Sequence, residues 1–436
     1  MIGQNDFPIT RASINLTRAC NLNCSFCFTN GCTNGSIPLD MAFRAIDFLF
    51  NNAIKTNEKT VEIDFWGGEP LLEWKILQEM TIYAKKKKPN WMNLIIGGTT
   101  NGTLLTPDKF NFLDEHKIYF LLSIDGTKET HDQFRKFRDG RGSHFIVMAN
   151  AKKALQKWPF LKARLSPTSE NISHFYENIK YLIDFGFDNL MFSPVYEGNW
   201  TTERWQIWED QCKLVVDLMV EKKKEGREIQ IDHFISYCGI DASRWPCGAG
   251  RFYVGIDIDG AIYPCHRLNK FDDLRPWQEK ETCIGHIDHG ITRPEFRELF
   301  YDTEHKECGD CERLKDTPCH GGCWAVKHDL ANGVHNKLDS LCNYIHMQKR
   351  VSEYYAKQMG LKKKNCINRS CICYNMCYSE GTEDEIITDD GGSATCLCNN
   401  AYYNGPMNSG LARPLRDQRA IELTNAAIRT WFSNEK

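Results

Sequence analysis

The chain has 436 residues, a formal charge of −3 and 42% hydrophobic residues. That length is generous for one core and points to two or three domains. The small net charge gives no reason to expect nucleic acid or an anionic membrane as a partner. No signal peptide or long apolar span is seen, so the expected place is the cytoplasm. Twenty cysteines in a reducing compartment argue for metal sites rather than a disulfide framework.

The first strand-like run, residues 12–17, leads directly into Cys20-Asn-Leu-Asn-Cys24-Ser-Phe-Cys27. Three thiolates at C-x3-C-x2-C are one fewer than the irons of a [4Fe–4S] cluster, which leaves one iron open to a ligand from outside the protein. Structural zinc prefers four protein ligands on paired C-x2-C hooks. On spacing alone, zinc and plain buried thiols stay open as alternatives. Further strand patterns cover 60–66, 94–99, 118–124, 162–166 and 189–194, with helix-period stretches at 39–51, 72–85 and 143–158 between them. Strands alternating with helices imply parallel pairing and right-handed crossovers. Six units are too few for a closed eight-stranded barrel. The expected class is therefore α/β, an open, partial (βα)6 TIM-like barrel with its chemistry at the strand C-terminal ends. Lysine runs at 85–88 and 222–224 read as solvated helix ends.

Past residue 199 the pattern changes. Residues 200–245 read as a charged helical bridge, and 246–350 as a small, cysteine-dense α+β unit. Within that unit a hairpin spans 253–264 about Asp259-Gly260, and helix signal returns at 342–359. The tail, 361–436, is polar and glycine-rich, with Cys366, Cys371, Cys373, Cys377, Cys396 and Cys398. It reads as an extra metal site, a fused substrate-like peptide, or flexible sequence with incidental thiols. Cys32, Cys212 and Cys283 have no motif around them and read as ordinary thiols.

Several motifs stand in one order. Phe26 precedes the third cysteine of the loop. Gly67-Gly68-Glu69-Pro70 follows the second strand, Thr100-Asn101-Gly102 the third, and Ser123-Ile-Asp125-Gly126 with His131-Asp-Gln-Phe-Arg135 the fourth. Then Cys247, twelve residues, Gly260, four residues and Cys265 are followed by Cys308, Cys311, Cys319, Cys323 and Cys342. From about residue 9 to 347 this series resembles the radical S-adenosylmethionine (SAM) enzymes that carry a C-terminal SPASM domain. One departure is the seven-residue gap from Cys311 to Cys319, where the family commonly has five.

The resemblance implies a radical SAM cluster on Cys20, Cys24 and Cys27. SAM would lie against Phe26, Gly67, Gly68, Glu69, Ser123 and Arg135, with Glu69 meeting its ammonium and Arg135 its carboxylate. Two auxiliary [4Fe–4S] clusters are implied, one on Cys308, Cys311, Cys319 and Cys342, the other on Cys247, Cys265 and Cys323. Cys238 is a candidate for the remaining ligand, at a wider spacing than the family's. Reductive cleavage of SAM to a 5′-deoxyadenosyl radical is the implied chemistry, fed by an electron donor such as flavodoxin or ferredoxin.

The implied substrate is a ribosomally made, cysteine-containing peptide that receives a thioether or other cross-link. The alternative is a sulfatase-maturating activity that oxidises Ser or Cys to formylglycine. Those maturases place an acid after the cysteine matching Cys265, where this chain has His266. Histidine also accepts protons near neutral pH, which makes His266 the candidate catalytic base. With 19 residues ahead of Cys20, a leader-binding module is not expected there. Leader recognition would fall to a separate protein, the barrel surface or the tail. A cysteine-rich zinc-binding interaction protein is the non-enzymatic alternative.

Overall fold

The computed structural model describes residues 9–29, 31–235, 248–298 and 322–360, and the backbone of 362–364 and 377–379. Its centre is β1 (Arg11–Thr17), every residue of which is buried. The alternation along a strand sorts its side chains. Ala12, Ile14 and Leu16 join the apolar cluster built with the surrounding helices. Arg11, Ser13 and Asn15, on the other face, donate to or share hydrogen bonds with Asp64, Tyr253 and Asp257. A buried polar face of this kind is stable only when its groups are paired.

From β1 the sheet runs outward in sequence order through β2 (Thr60–Gly67), β3 (Asn93–Thr100), β4 (Tyr119–Ser123), β5 (Lys162–Leu165) and β6 (Asn189–Phe192), all pairing in parallel. The helices α1 (Leu39–Thr56), α2 (Trp74–Lys87), α3 (Pro107–Glu115), α4 (Lys128–Phe134), α5 (His144–Lys157) and α6 (Phe175–Phe185) connect them. The α/β class with a mostly parallel sheet is as expected, and strand ends differ by one or two residues. The lysine runs do close helices: they fill the last turns of α2 and of α7 (Thr202–Lys224), where cations suit the helix dipole.

Two features extend this sheet. After α7 a two-residue strand, β7 (Gln230–Ile231), pairs in parallel with β6 and is followed by α8 (Asp232–Ile235). Two residues are too few to show a strand period. The hairpin of β8 (Tyr253–Ile256) and β9 (Ala261–Tyr263) turns at Gly260, whose φ of +83° favours glycine. Strand β8 lies parallel to β1 on the edge opposite β2. The sheet continues through β10 (Gly285–His286) and β11 (Gly290–Ile291). The chain then enters α9 (Pro294–Glu298), α10 (Trp324–Ala331) and α11 (Asp339–Gln358), with a separate ribbon of β12 (Lys362–Lys364) and β13 (Cys377–Ser379). Arg350 Nε of α11 donates to Glu209 of α7 at 2.7 Å.

Asp257, just past β8, ties the hairpin to the first strand. It is fully buried, accepts from Asn15 Nδ2 at 2.8 Å, and pairs with Arg18. Lys280 Nζ lies 3.7 Å away. Replacing Asp257 with Ala leaves Arg18 buried without its principal partner and should cost about 3–5 kcal/mol. Urea unfolding checks this against Asp288→Ala, which removes an exposed partner of Arg44 and should leave the midpoint in place.

Candidate active site at the strand C-terminal ends

The loop after β1 and the turn after β2 are built against each other. Gly68 N donates to Thr17 O at 2.8 Å and Glu69 N to Ala19 O at 3.0 Å. A Cβ on Gly68 would stand 2.2 Å from Ala19 O, and one on Gly67, at φ +141°, 2.4 Å from Thr17 O. The two glycines therefore let the chain pass directly over this turn into Cys20. Beyond Cys20 the loop is held by Leu22 N donating to Cys20 Sγ at 3.4 Å and Cys27 N to Cys24 O at 3.1 Å. All three thiols are partly exposed.

Glu69 is fully buried and accepts from Leu71 N at 3.0 Å, Thr100 Oγ1 at 2.8 Å and Asn101 N at 2.7 Å. Burial pushes its pKa up, and these hydrogen bonds oppose that. No salt bridge reaches it among the described residues, and Lys109 acts on it from further away. A carboxylate has about four lone-pair positions, and three are taken. Asn101 also reaches the cysteine loop: its Nδ2 donates to Asn21 Oδ1 at 2.9 Å and lies 3.8 Å from Cys20 Sγ. The Thr100-Asn101 turn, a common and weak signal in sequence, is thus part of the site.

Ser123 closes β4, is buried, and its hydroxyl makes no hydrogen bond among the described residues. Arg135 caps α4 and is buried. Its Nε and Nη2 donate to Asp125 at 2.5 and 3.1 Å, and Nη2 also to Ser166 Oγ at 3.1 Å. The bidentate pairing that the resemblance reserves for SAM is made here with Asp125, which leaves Nη1 for a ligand. Phe26 lies under this guanidinium at 5.1 Å. Arg135 also acts on Cys24, opposing the burial that raises that thiol to about 11. Cys32 is not the isolated thiol expected. It hydrogen-bonds Cys20, and that contact lowers it to about 7.

Of the second cysteine set, Cys265, Cys323 and Cys342 are described, whereas Cys238, Cys247, Cys308, Cys311 and Cys319 lie outside the described residues. Cys265 and Cys323 border one apolar cluster with Tyr253 and Trp324. Cys342 lies in the first turns of α11. His266 follows Cys265 into an aromatic nest, its ring 5.2 Å from Trp66 and 6.0 Å from Phe28. Its Nδ1 hydrogen-bonds the Tyr253 hydroxyl, which lies 2.9 Å from Ser13 Oγ. Burial, with Arg267, Arg11 and Arg164 close by, holds the imidazole neutral and lowers its pKa to about 3. The surroundings thus disfavour a standing charge on the expected base. Cys212 is buried in α7, and Cys283 donates to Gly285 O at 3.1 Å, as ordinary thiols do.

Residues 14–199 match the radical SAM superfamily. The chain thus carries a radical SAM domain, and enzymes of that superfamily use a [4Fe–4S] cluster and SAM. It is 27% identical over 366 residues to a cysteine-type anaerobic sulfatase-maturating enzyme of Clostridium novyi (strain NT), covering 79% of this chain and 96% of that one. A counterpart from Clostridium perfringens (strain 13 / Type A) is 26% identical over 335 residues, covering 70% and 85%. Among solved structures, native anSMEcpe with bound AdoMet aligns at a TM-score of 0.64 and 22% identity, covering 80% of this chain and 98% of that one. Streptococcus suis SuiB bound to precursor peptide SuiA aligns at 0.53 and 18%, covering 77% and 76%. These likenesses show a TIM-like radical SAM barrel.

The donors present are of the kind the cofactors take. A cubane takes one thiolate per iron, and three partly exposed thiols share one short loop near a buried carboxylate and a serine hydroxyl with no hydrogen bond among the described residues; as placed, no three described His, Cys, Asp or Glu side chains are gathered closely enough to hold a metal ion. Glu69→Gln keeps an acceptor for the backbone donors but removes the charge. It should weaken SAM binding about tenfold or more, since a charged hydrogen bond is worth about 1.5–3 kcal/mol. Calorimetry on the iron-loaded protein checks this; unchanged affinity takes Glu69 out of the SAM site.

Proposed function

We propose that this enzyme modifies a cysteine or serine residue within a peptide or protein, using the radical generated at the Cys20, Cys24 and Cys27 loop. The observation that carries this reading is the meeting of both halves of the chain at one sheet edge. The hairpin on β1 carries Cys265 and sets its neighbour His266 against Trp66 and Phe28, next to where the cysteine loop emerges. In this reading residues 1–199 form the barrel, 200–245 the bridge and 246–350 a SPASM domain with two auxiliary clusters, while 361–436 has no assigned role. Flavodoxin or ferredoxin would supply the electron.

Formylglycine formation is favoured by the likeness to cysteine-type sulfatase maturases, which spans 96% of the Clostridium novyi protein. Peptide cross-linking is the second reading, favoured by His266 in place of an acid; SuiB, whose fold this chain shares, is bound to a precursor peptide. A cluster held by Cys20, Cys24 and Cys27 would supply the electron for reductive cleavage of SAM, and SAM so cleaved would supply the radical chemistry. The chain's own groups do the rest. Glu69, Ser123 and Arg135 hold SAM, and the aromatic nest keeps water away from the reacting residue. His266 accepts the thiol or hydroxyl proton, and Tyr253 with Ser13 offers a path that spares the imidazole a lasting charge among the arginines.

Replacing Cys20, Cys24 and Cys27 together with Ala should abolish 5′-deoxyadenosine release while iron bound by the second cysteine set remains. Release at the normal rate from the folded triple variant sinks the cluster assignment. In product analysis, a cysteine turned into an aldehyde loses its sulfur and reacts with hydrazides, whereas a thioether keeps its sulfur and resists alkylation. His266→Ala should spare SAM cleavage but lower product per 5′-deoxyadenosine; undiminished yield removes His266 from the mechanism.

A further inference from the structure

One guanidinium on the inner face of the sheet makes no salt bridge among the described residues. Arg164 sits in β5, in register with Ser123 of β4 and Met191 of β6, and is mostly buried. Among the described residues its one hydrogen bond runs from Nη1 to Ser166 Oγ. That same oxygen accepts from Arg135 Nη2 at 3.1 Å, so two guanidiniums converge on one neutral hydroxyl. The other buried and near-buried arginines of this region all have carboxylates: Arg11 has Glu62 and Asp64, Arg18 has Asp257, Arg135 has Asp125 and Arg267 has Glu197. Among these described arginines Arg164 makes no such pair, since Asp125, which also acts on it, is held by Arg135, and a cation so placed is costly unless an anion arrives.

Its position says which anion. The charges acting on Arg164 are those of Arg135, Asp125, Tyr196 and Arg267. Cys323, in the second half of the chain, acts in turn on Tyr196 and Arg267, and Arg164 itself acts on His266. Arg164 therefore lies between the groups given to SAM, Ser123 beside it in the sheet and Arg135 on the same Ser166 oxygen, and the His266 side of the site, where a substrate would enter.

We propose that Arg164 is the receptor for a carboxylate of the peptide substrate, carried on an acidic side chain beside the modified residue or at a peptide C-terminus. A planar fork receives a carboxylate bidentately, which fixes orientation as well as affinity. This rests on the peptide-modification reading, so the test separates the two. Iron-loaded protein with SAM bound is titrated first with 13C-propionate, followed by NMR line broadening. It is then titrated with a pair of blocked tetrapeptides, Gly-Asp-Cys-Gly and Gly-Asn-Cys-Gly, by calorimetry.

Wild type should broaden propionate and prefer the Asp peptide about tenfold or more. Arg164→Gln should lose both effects with SAM affinity and iron content unchanged, and Arg164→Lys should keep part of each. Equal propionate binding by wild type and Arg164→Gln overturns the site. A tenfold loss of SAM affinity in Arg164→Gln, with no Asp preference in wild type, overturns the proposal by giving the site to SAM's own carboxylate. Arg164-dependent propionate binding with neither peptide bound overturns the peptide as occupant and the proposed function with it, and leaves only a carboxylate site.

Discussion

Strand β1 is hydrogen-bonded along both edges, to β2 on one side and β8 on the other, and the placement of the candidate groups follows from that double pairing. The chain leaves β1 at Thr17 and reaches Cys20 three residues later. The cysteine loop therefore opens at the seam between the parallel strands and the hairpin. The turn at Gly67-Gly68-Glu69 closes it from one side, and Cys265 and His266 stand on the other. A strand with one free edge could not hold both β2 and the hairpin, and so could not set His266 beside Phe28 of the cysteine loop and Trp66 of β2. Asp257 reinforces the seam because it meets both Asn15 and Arg18, one on β1 and one just beyond.

The same strand fixes the electrostatics of the interior. Its odd-numbered side chains present Arg11, Ser13 and Asn15 to the face away from the helices, and β2 answers with Glu62 and Asp64. Burial raises Asp64 to about 6 despite the neighbouring Arg11. A hydrophobic interior would be more stable than this one, since buried ion pairs seldom exceed apolar packing in net stability. The arrangement instead lines the interior face of β1 and β2 with fixed dipoles and charges, and Arg11 among them acts on His266.

Much of this was legible in the sequence because it is local. Strand and helix periods identify themselves within a few residues, and Cys20, Cys24, Cys27 and the GGEP turn are contiguous motifs. What escaped notice depends on contacts between distant positions. Asn101 matters because Glu69, 32 positions earlier, accepts its amide. Tyr253 matters because Ser13, 240 positions away, shares its hydroxyl. Arg135 was assigned by motif to SAM, yet Asp125 ten positions back holds its fork. Cys32 looked incidental because nothing in its flanking residues shows that the chain folds back onto Cys20.

Arg135 shows how a motif can be right about location and incomplete about role. Burial alone would weaken its charge, but the Asp125 carboxylate at 2.5 Å outweighs that and keeps the guanidinium firmly protonated. The pair holds the start of the β4 loop to the end of α4, and Ser166 N donates to the same Asp125 at 2.8 Å, adding the end of β5. Three segments are thereby pinned around a single carboxylate, directly above Phe26 of the cysteine loop. Removing Arg135 would disturb that junction as well as any ligand at Nη1. The fork that would meet a ligand is thus the one that fixes the loop, and the geometry of that junction is what this arginine secures in the structure.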